Sequence, residues 1–576
     1  MPARPVSIFS LCGTGLVLGT LLFAASLTPS LVPRAPWIQG LLGGFCLACG
    51  YGLGVLLMRA WRALELPALP PRAHRLALLL GLVACAAAVV LMLRWATAWQ
   101  NRLRALMEMP VIDSAGPWTI AALTLATFAV LLALARLFGW IRRQLARPLG
   151  RVMASPSAAL LALLLTATLF WLVGNGFLAQ KLLQSADEIY AALDEVIEDD
   201  VPAPQAWNKT GSPQSLIGWQ TLGREGRRAI AAPPTAAQIG EATGLVALEP
   251  LRVYVGLNSA ETPQARAELA LRELQRIGAF ERANLVIVTP TGSGWVDPES
   301  QKALEYVLHG DVASVSVQYS YLLSWLAMLS VPEYGVETAQ AVFTTIYDHW
   351  RSLPRTQRPR LYLHGLSLGA FNSDQSHDLY QVISDPYQGA LWSGPPFNTP
   401  TWRSVTAARN PGSPAWLPTF GDGSVVRFTA QKNTLDEAPT PWGAYRVVFL
   451  QYASDAVTFF DPQSLWRRPA WMQTPLGPDV SPDMRWIPVV SFLQLAFDLM
   501  VAVEPPKGYG HVYAFEHYAD AWASLTTPLA TSAALSSASG ISGTSSPPDW
   551  TAESLRLLKQ RVADADASGT TEAAAH

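Results

Sequence analysis

Before Lys181 this chain contains five apolar stretches, at about 7–29, 37–58, 76–93, 118–135 and 158–178, and none of them holds an Asp, Glu, Lys or Arg. No other feature restricts the fold so strongly. A backbone in hydrocarbon must satisfy its own hydrogen bonds, and a helix of about 20 apolar residues crosses a bilayer. The first third therefore reads as an all-α transmembrane region of about five helices. Ionisable residues inside spans mark proton and ion paths. Without them the region reads as an anchor or helix bundle rather than a transporter. Gly43, Gly44, Gly50 and Gly54 would let helices approach closely. The first stretch could pass for a signal peptide, but its length and the lack of a small-residue cleavage site favour a retained span.

Loop charge sets an orientation. Arg59, Arg62, Arg72 and Arg75 flank the second loop, and Arg136, Arg142, Arg143, Arg147 and Arg151 fill the fourth. The first loop has Arg34 alone, and the third has Arg94, Arg102 and Arg104 beside Glu108 and Asp113. The positive-inside rule places the amino terminus and the even loops in the cytoplasm. Five spans then put everything after Lys181 on the other face, the periplasm if the cell is bacterial and the membrane its inner one. Residues 1–180 carry 14 Lys+Arg against 3 Asp+Glu, whereas the remainder carries 27 against 40. An acidic second part argues against nucleic acid as a partner. Cys12, Cys46, Cys49 and Cys85 all fall in spans, where Cys46-x-x-Cys49 is not expected to bind zinc or do redox work.

The chain divides at this level into a transmembrane region (1–180), a connector (181–247), a larger domain (248–530) and a low-complexity tail (531–576) with a short helix at Trp550–Val562. In the larger domain, strands are expected at Leu251–Leu257, Asn284–Thr289, Val312–Tyr319, Arg360–His364, Gly389–Ser393 and Arg446–Tyr452. Helical spacing separates them at Pro263–Ile277, Asp297–Leu308 and Val336–Trp350. Alternation of this kind implies a mostly parallel sheet covered on both faces. The Pro-, Trp- and Gly-rich run Pro396–Gly423 reads as an insertion over the site.

The fourth of these strands runs into Gly365-Leu366-Ser367-Leu368-Gly369, with Ala370–Tyr380 able to follow as a helix. G-x-S-x-G between a strand and a helix is a nucleophile elbow, a strained turn that lifts a serine hydroxyl above the sheet. The same spelling also serves as a plain turn, and the strand–helix flanks favour the catalytic reading. Ser367 then needs a base and an orienting acid, in the chain order Ser, Asp, His. His511 follows the flexible Gly508-Tyr509-Gly510, whereas His517 sits in a helical pattern, so His511 is the candidate base. His364 reads as a strand-end residue lining the pocket, and His377 lies too far along the helix. Asp455 leaves the last strand and is the candidate acid; Asp461, before Pro462, reads as a helix cap. An oxyanion hole would take one N–H from Leu368 and another from the loop after the second strand, at Gly292 or Ser293. No H-E-x-x-H is present, no cysteine lies near these histidines, and no metal or other cofactor is expected.

The runs VYVGLNSAETPQARAELALRELQRIGAF, VTPTGSGWVDP, LHGLSLGAF, PPFNTPTWRSVTAARNPGSPAW, FLQYASDAVTFF and GYGHVY resemble those of the bacterial membrane-anchored α/β-hydrolases. That family pairs a multi-span amino-terminal region with an α/β-hydrolase catalytic domain. The resemblance implies a serine hydrolase with Ser367, Asp455 and His511 as its triad. One departure stands out: no strand is legible just before His511, where Trp486–Val503 reads as helix. An esterase or lipase-like activity is expected, on a small acyl ester or lipid-like substrate beside the bilayer. Trp392, Trp402 and Trp416 fit an apolar substrate or equally a filled core. Acyl transfer with the same triad, or a non-catalytic membrane scaffold or receptor, are the competing readings.

Overall fold

The computed structural model describes residues 11–67, 70–198, 200–231, 233–322, 324, 326–327, 332–527 and 550–573. Contacts divide the chain into two units. The first holds Met1–Lys181, Ala453–Ala456 and Phe460–Gly510; the second holds Leu182–Tyr452, Val457–Phe459 and His511–His576.

The first unit is built on helices α1 (Gly13–Ser26), α2 (Pro36–Ala63), α3 (Pro71–Leu106), α4 (Pro117–Leu149) and α5 (Ser155–Trp171). The last four each begin with proline in the first turn, where its missing N–H costs nothing and its fixed φ suits a helix. Four described helices are long and apolar enough to cross a membrane: Pro36–Ala63, Arg72–Leu106, Pro117–Leu149 and Ser155–Phe177. Among the described residues of the first expected span, the helix covers Gly13–Ser26 and ends where the chain turns at Leu27 ahead of Pro29. The start of that stretch, residues 7–10, lies outside the described residues. The glycines pack as their size allows. A Cβ on Gly50 would sit 2.6 Å from the Leu18 carbonyl of α1, and one on Gly44 would sit 2.4 Å from Thr127 of α4.

A helix far along the chain completes this unit. Val490–Met500 is helical, as the pattern over 486–503 indicates. Its Val490, Leu493 and Phe497 pack with Leu22, Leu42 and Cys46 of α1 and α2. The Asp498 carboxylate accepts hydrogen bonds from Ser30 Oγ (2.8 Å) and Leu31 N (3.0 Å) and faces buried Arg34 at 3.8 Å. Gln494 Nε2 donates to the Thr28 carbonyl at 2.8 Å.

The second unit centres on seven parallel strands: β1 (Leu251–Val255), β2 (Asn284–Thr289), β3 (Val312–Val317), β4 (Arg360–Leu366), β5 (Gly389–Ser393), β6 (Val426–Thr429) and β7 (Arg446–Leu450). Their order is β1-β3-β2-β4-β5-β7-β6. Both faces are covered, so nearly every strand residue is buried and the strands read as continuous apolar runs. β6 lies within a stretch that carried no strand signal. It takes the edge beyond β7, pairing Val426 with Val447 and Thr429 with Leu450. The expected helix after the elbow is interrupted. It stops at Asp374, because Gln375 leaves helical geometry, and a single turn resumes at Leu379–Val382. The carboxy-terminal helix runs over Ala552–Ala573, longer than its sequence pattern indicates.

Candidate active site

β4 delivers Ser367 to the carboxyl edge of the sheet. Ser367 has φ 57° and ψ −128°, and Leu368–Asp374 follows at once as a helix. Only a close turn makes this geometry, and the two flanking glycines permit it. A Cβ on Gly365 would lie 2.4 Å from the Gly369 carbonyl carbon, and one on Gly369 would lie 2.3 Å from the Thr289 carbonyl oxygen. The turn is fastened by Ser367 N donating to the Ser393 carbonyl (3.0 Å) and by Phe371 N donating to the Ser367 carbonyl (3.2 Å). Strand, elbow and helix are thus all present around Ser367, which is the context that distinguishes a nucleophile elbow from a plain glycine turn.

The loop expected to supply an oxyanion donor emerges beside it, since Thr289 of β2 pairs with Gly365 of β4. It is a tight turn closed by Gly294 N to the Thr291 carbonyl (3.0 Å) and Thr291 N to the Trp295 carbonyl (2.9 Å). Two buried side chains hold it from beneath. Tyr254 Oη donates to the Gly294 carbonyl (2.7 Å), and Gln318 Nε2 donates to the Ser293 carbonyl (3.2 Å). Gly292 N donates to Ser324 Oγ at 3.2 Å. That donor must exchange partners before it can serve a substrate oxygen. Leu368 opens the helix after the elbow, in the place the motif assigns to the other donor.

The histidines separate by environment. His511 is buried in the second unit, edge-on to Tyr513, which stacks at 4.4 Å on Tyr452 just past β7. Gly508 (φ 92°) and Gly510 (φ 57°) shape the turn that leads to it. His517 is instead committed to structure. Tyr452 Oη accepts from Ala514 N (3.1 Å) and is hydrogen-bonded to His517 Nδ1 (2.6 Å), and burial pushes the imidazole down to about 4. His364 was expected to line the pocket. It is sealed in the core, its Nδ1 donating to the Leu391 carbonyl (2.7 Å) and its Nε2 accepting from Ser300 Oγ (2.8 Å). His377 lies in the break after the elbow helix, stacked on Phe343 and bonded to Tyr387 Oη.

Asp455 is fully buried, five residues past the end of β7, and belongs to the first unit. Asp461 caps Pro462–Leu465 by accepting from Gln463 N (2.8 Å). Gly510 N donates to Ser454 Oγ at 2.9 Å. The residue before the candidate base is therefore bonded to the residue before the candidate acid. The sequence carried no signal for this link, which spans 56 residues.

One further feature escaped the sequence reading. Asp297 is buried at the start of the helix Pro298–Val307, accepts from Tyr518 Oη (2.8 Å), and is pushed up to about 6 by burial. It ties that helix to Phe515–Thr526 inside the core. Trp392 and Trp402, read as fitting either an apolar substrate or a filled core, are structural. Trp392 Nε1 donates to Ser373 Oγ, and Trp402 Nε1 to Gln451 Oε1, whose Nε2 donates in turn to the Trp416 carbonyl. With Trp392 and Trp402 buried, neither speaks for an apolar substrate.

No curated protein and no solved structure matches the chain. Two family models do. That of the alpha/beta-hydrolase family N-terminus matches residues 27–234, and that of the alpha/beta-hydrolase family matches residues 251–538. With a serine on a strand–helix elbow at the carboxyl edge of a parallel sheet, and with matches over both its helical and its sheet-bearing parts, this chain belongs to the alpha/beta-hydrolase family.

Proposed function

We propose that the protein is a membrane-bound serine hydrolase that cleaves a carboxylic ester through an acyl-enzyme. The observation that carries this reading is the backbone of Ser367, held at φ 57° between β4 and a helix by two glycines that admit no side chain. In this reading Ser367 Oγ attacks the acyl carbon and passes its proton to His511. Asp455 orients His511 and stabilises the imidazolium. The oxyanion is met by the Leu368 N–H and by an N–H from Gly292 or Ser293, each donor lowering the barrier by about 3–4 kcal/mol. His511 then protonates the leaving alcohol, and water, deprotonated by the same histidine, releases the acid. Helices long and apolar enough to cross a membrane support a substrate of apolar or lipid-like acyl character. Loop charge argues for an extracytoplasmic catalytic unit, periplasmic in a bacterium.

The test is labelling of the full chain in lipid with a fluorophosphonate probe, wild type beside Ser367→Ala, His511→Ala and His517→Ala. Labelling lost in the first two variants and kept in the third is the expected result. Absence of labelling in the wild type would overturn the hydrolase reading.

A further inference from the structure

We propose that Ser454 and Asp479 are positioning residues, a clasp that sets the separation of the acid-bearing and base-bearing turns. This rests on the reading that Ser367, His511 and Asp455 perform the chemistry. Ser454 N (3.2 Å) and Ser454 Oγ (2.6 Å) both donate to Asp479 Oδ2. The same Ser454 Oγ accepts from Gly510 N at 2.9 Å. A hydroxyl has one proton to give and two lone pairs to receive, so Ser454 can make both bonds at once. The 2.6 Å bond from Ser454 Oγ to the carboxylate is charge-assisted and short, which makes it the strong link of the chain.

Position gives the clasp its consequence. Asp455 and His511 each follow a clasped residue directly, so each Cα stands one peptide unit, about 3.8 Å, from the bonded position. Neither anchor can drift. Ser454 and Asp479 are buried, and Gly510 is confined because a Cβ there would meet the Ala502 carbonyl at 2.8 Å and Pro505 at 2.7 Å. The stretch containing Asp479 is itself anchored further along, through the bonds from Ser30 and Leu31 to Asp498. The three clasped residues thus all belong to the first unit.

The test is the kinetics of fluorophosphonate labelling on the full chain in lipid, read as amplitude, limiting rate constant and half-saturating probe concentration. Ser454→Ala is expected to lower the limiting rate constant about 10- to 100-fold, the effect of a small misplacement of reacting groups, with half-saturation unchanged. Ser454→Thr, which keeps the hydroxyl, is expected to restore most of the rate. A merely structural residue would lower the labelled amplitude, the folded fraction, and leave the rate constant of the labelled molecules alone. Asp479→Asn keeps the shape and removes the charge, so its rate should fall between those of wild type and Ser454→Ala; it decides the matter if Ser454→Ala does not fold. Wild-type rate constants in Ser454→Ala or Asp479→Asn would overturn the clasp while leaving the hydrolase standing. A wild type that does not label would overturn both.

Discussion

Ser367 occupies a backbone region that side chains avoid, and residues held there store about 1–3 kcal/mol of strain. Glycine adopts that region freely, at an entropy cost of about 0.5–1 kcal/mol to the folded state. Ser367→Gly is therefore expected to melt no lower than wild type while losing all probe labelling; a lower melting temperature would show that the turn is relaxed. Gly369→Ala should do the reverse. Its methyl would have to displace the Thr289 carbonyl from 2.3 Å, a destabilisation of about 1–3 kcal/mol. At this scale the sequence was readable wherever one residue type has one physical reason. Gly365 and Gly369 are glycine because the elbow closes on them, and His511 stands apart from His517 because two glycines precede it and a helix does not. Ser454 and Asp479 were not readable, since nothing local marks two residues 25 positions apart as partners. Trp402 was ambiguous for a similar reason: its burial and its bond to Gln451, 49 positions away, identify it as core.

Among the elements, strands buried on both faces announced themselves. Asn284–Thr289 and Gly389–Ser393 were legible to the residue, because a run such as NLVIVT admits no amphipathic alternative. β6 was hidden by its own chemistry. Its four residues include Arg427, whose guanidinium is buried over the Trp442 ring at 3.9 Å and donates to the Gly423 and Thr440 carbonyls. A charged residue with non-local partners looks like loop until those partners are known. The position of β7 between β5 and β6 was likewise invisible, being a property of pairing rather than of either strand. A second buried charge fastens β1 to the helix Pro298–Val307, where Arg252 meets Glu305 through two bonds of 2.6 and 2.8 Å. Removing one partner leaves the other charge buried and alone. Glu305→Ala is expected to lose about 3–5 kcal/mol in denaturant unfolding, whereas Arg252→Met with Glu305→Leu should stay near wild type. Equal losses in the two proteins would mean that the pair itself, not the orphaned charge, carries the stability.

In the whole molecule, the order of the chain and the order of the fold part company. A boundary drawn from composition falls near Lys181, where apolar stretches give way to alternating strands and helices. Contacts group Ala453–Ala456 and Phe460–Gly510 with Met1–Lys181. Composition could not reveal this, because Val490–Met500 is too short to read as a span and its link to the loop before α2 is a matter of single polar groups: Asp498 to Ser30 and Leu31, Gln494 to Thr28. The addition contains Asp455, the candidate acid, and ends at Gly510, next to the candidate base. A shortened chain beginning at residue 182 would keep the sheet and the elbow. It would strand the Asp498 carboxylate, and it would expose Val490, Leu493 and Phe497, which pack on α1 and α2. Burying a carboxylate without partners is costly enough that the segment must move or unfold. The shortened chain is therefore expected to retain the sheet, seen as native-like far-ultraviolet circular dichroism, yet fail to label with a fluorophosphonate. Co-expression with residues 1–181 should recover labelling if the helical unit can reassemble around the segment. Labelling of the shortened chain alone at the full-length rate would show that residues 182–576 hold the acid and the base without the amino-terminal helices.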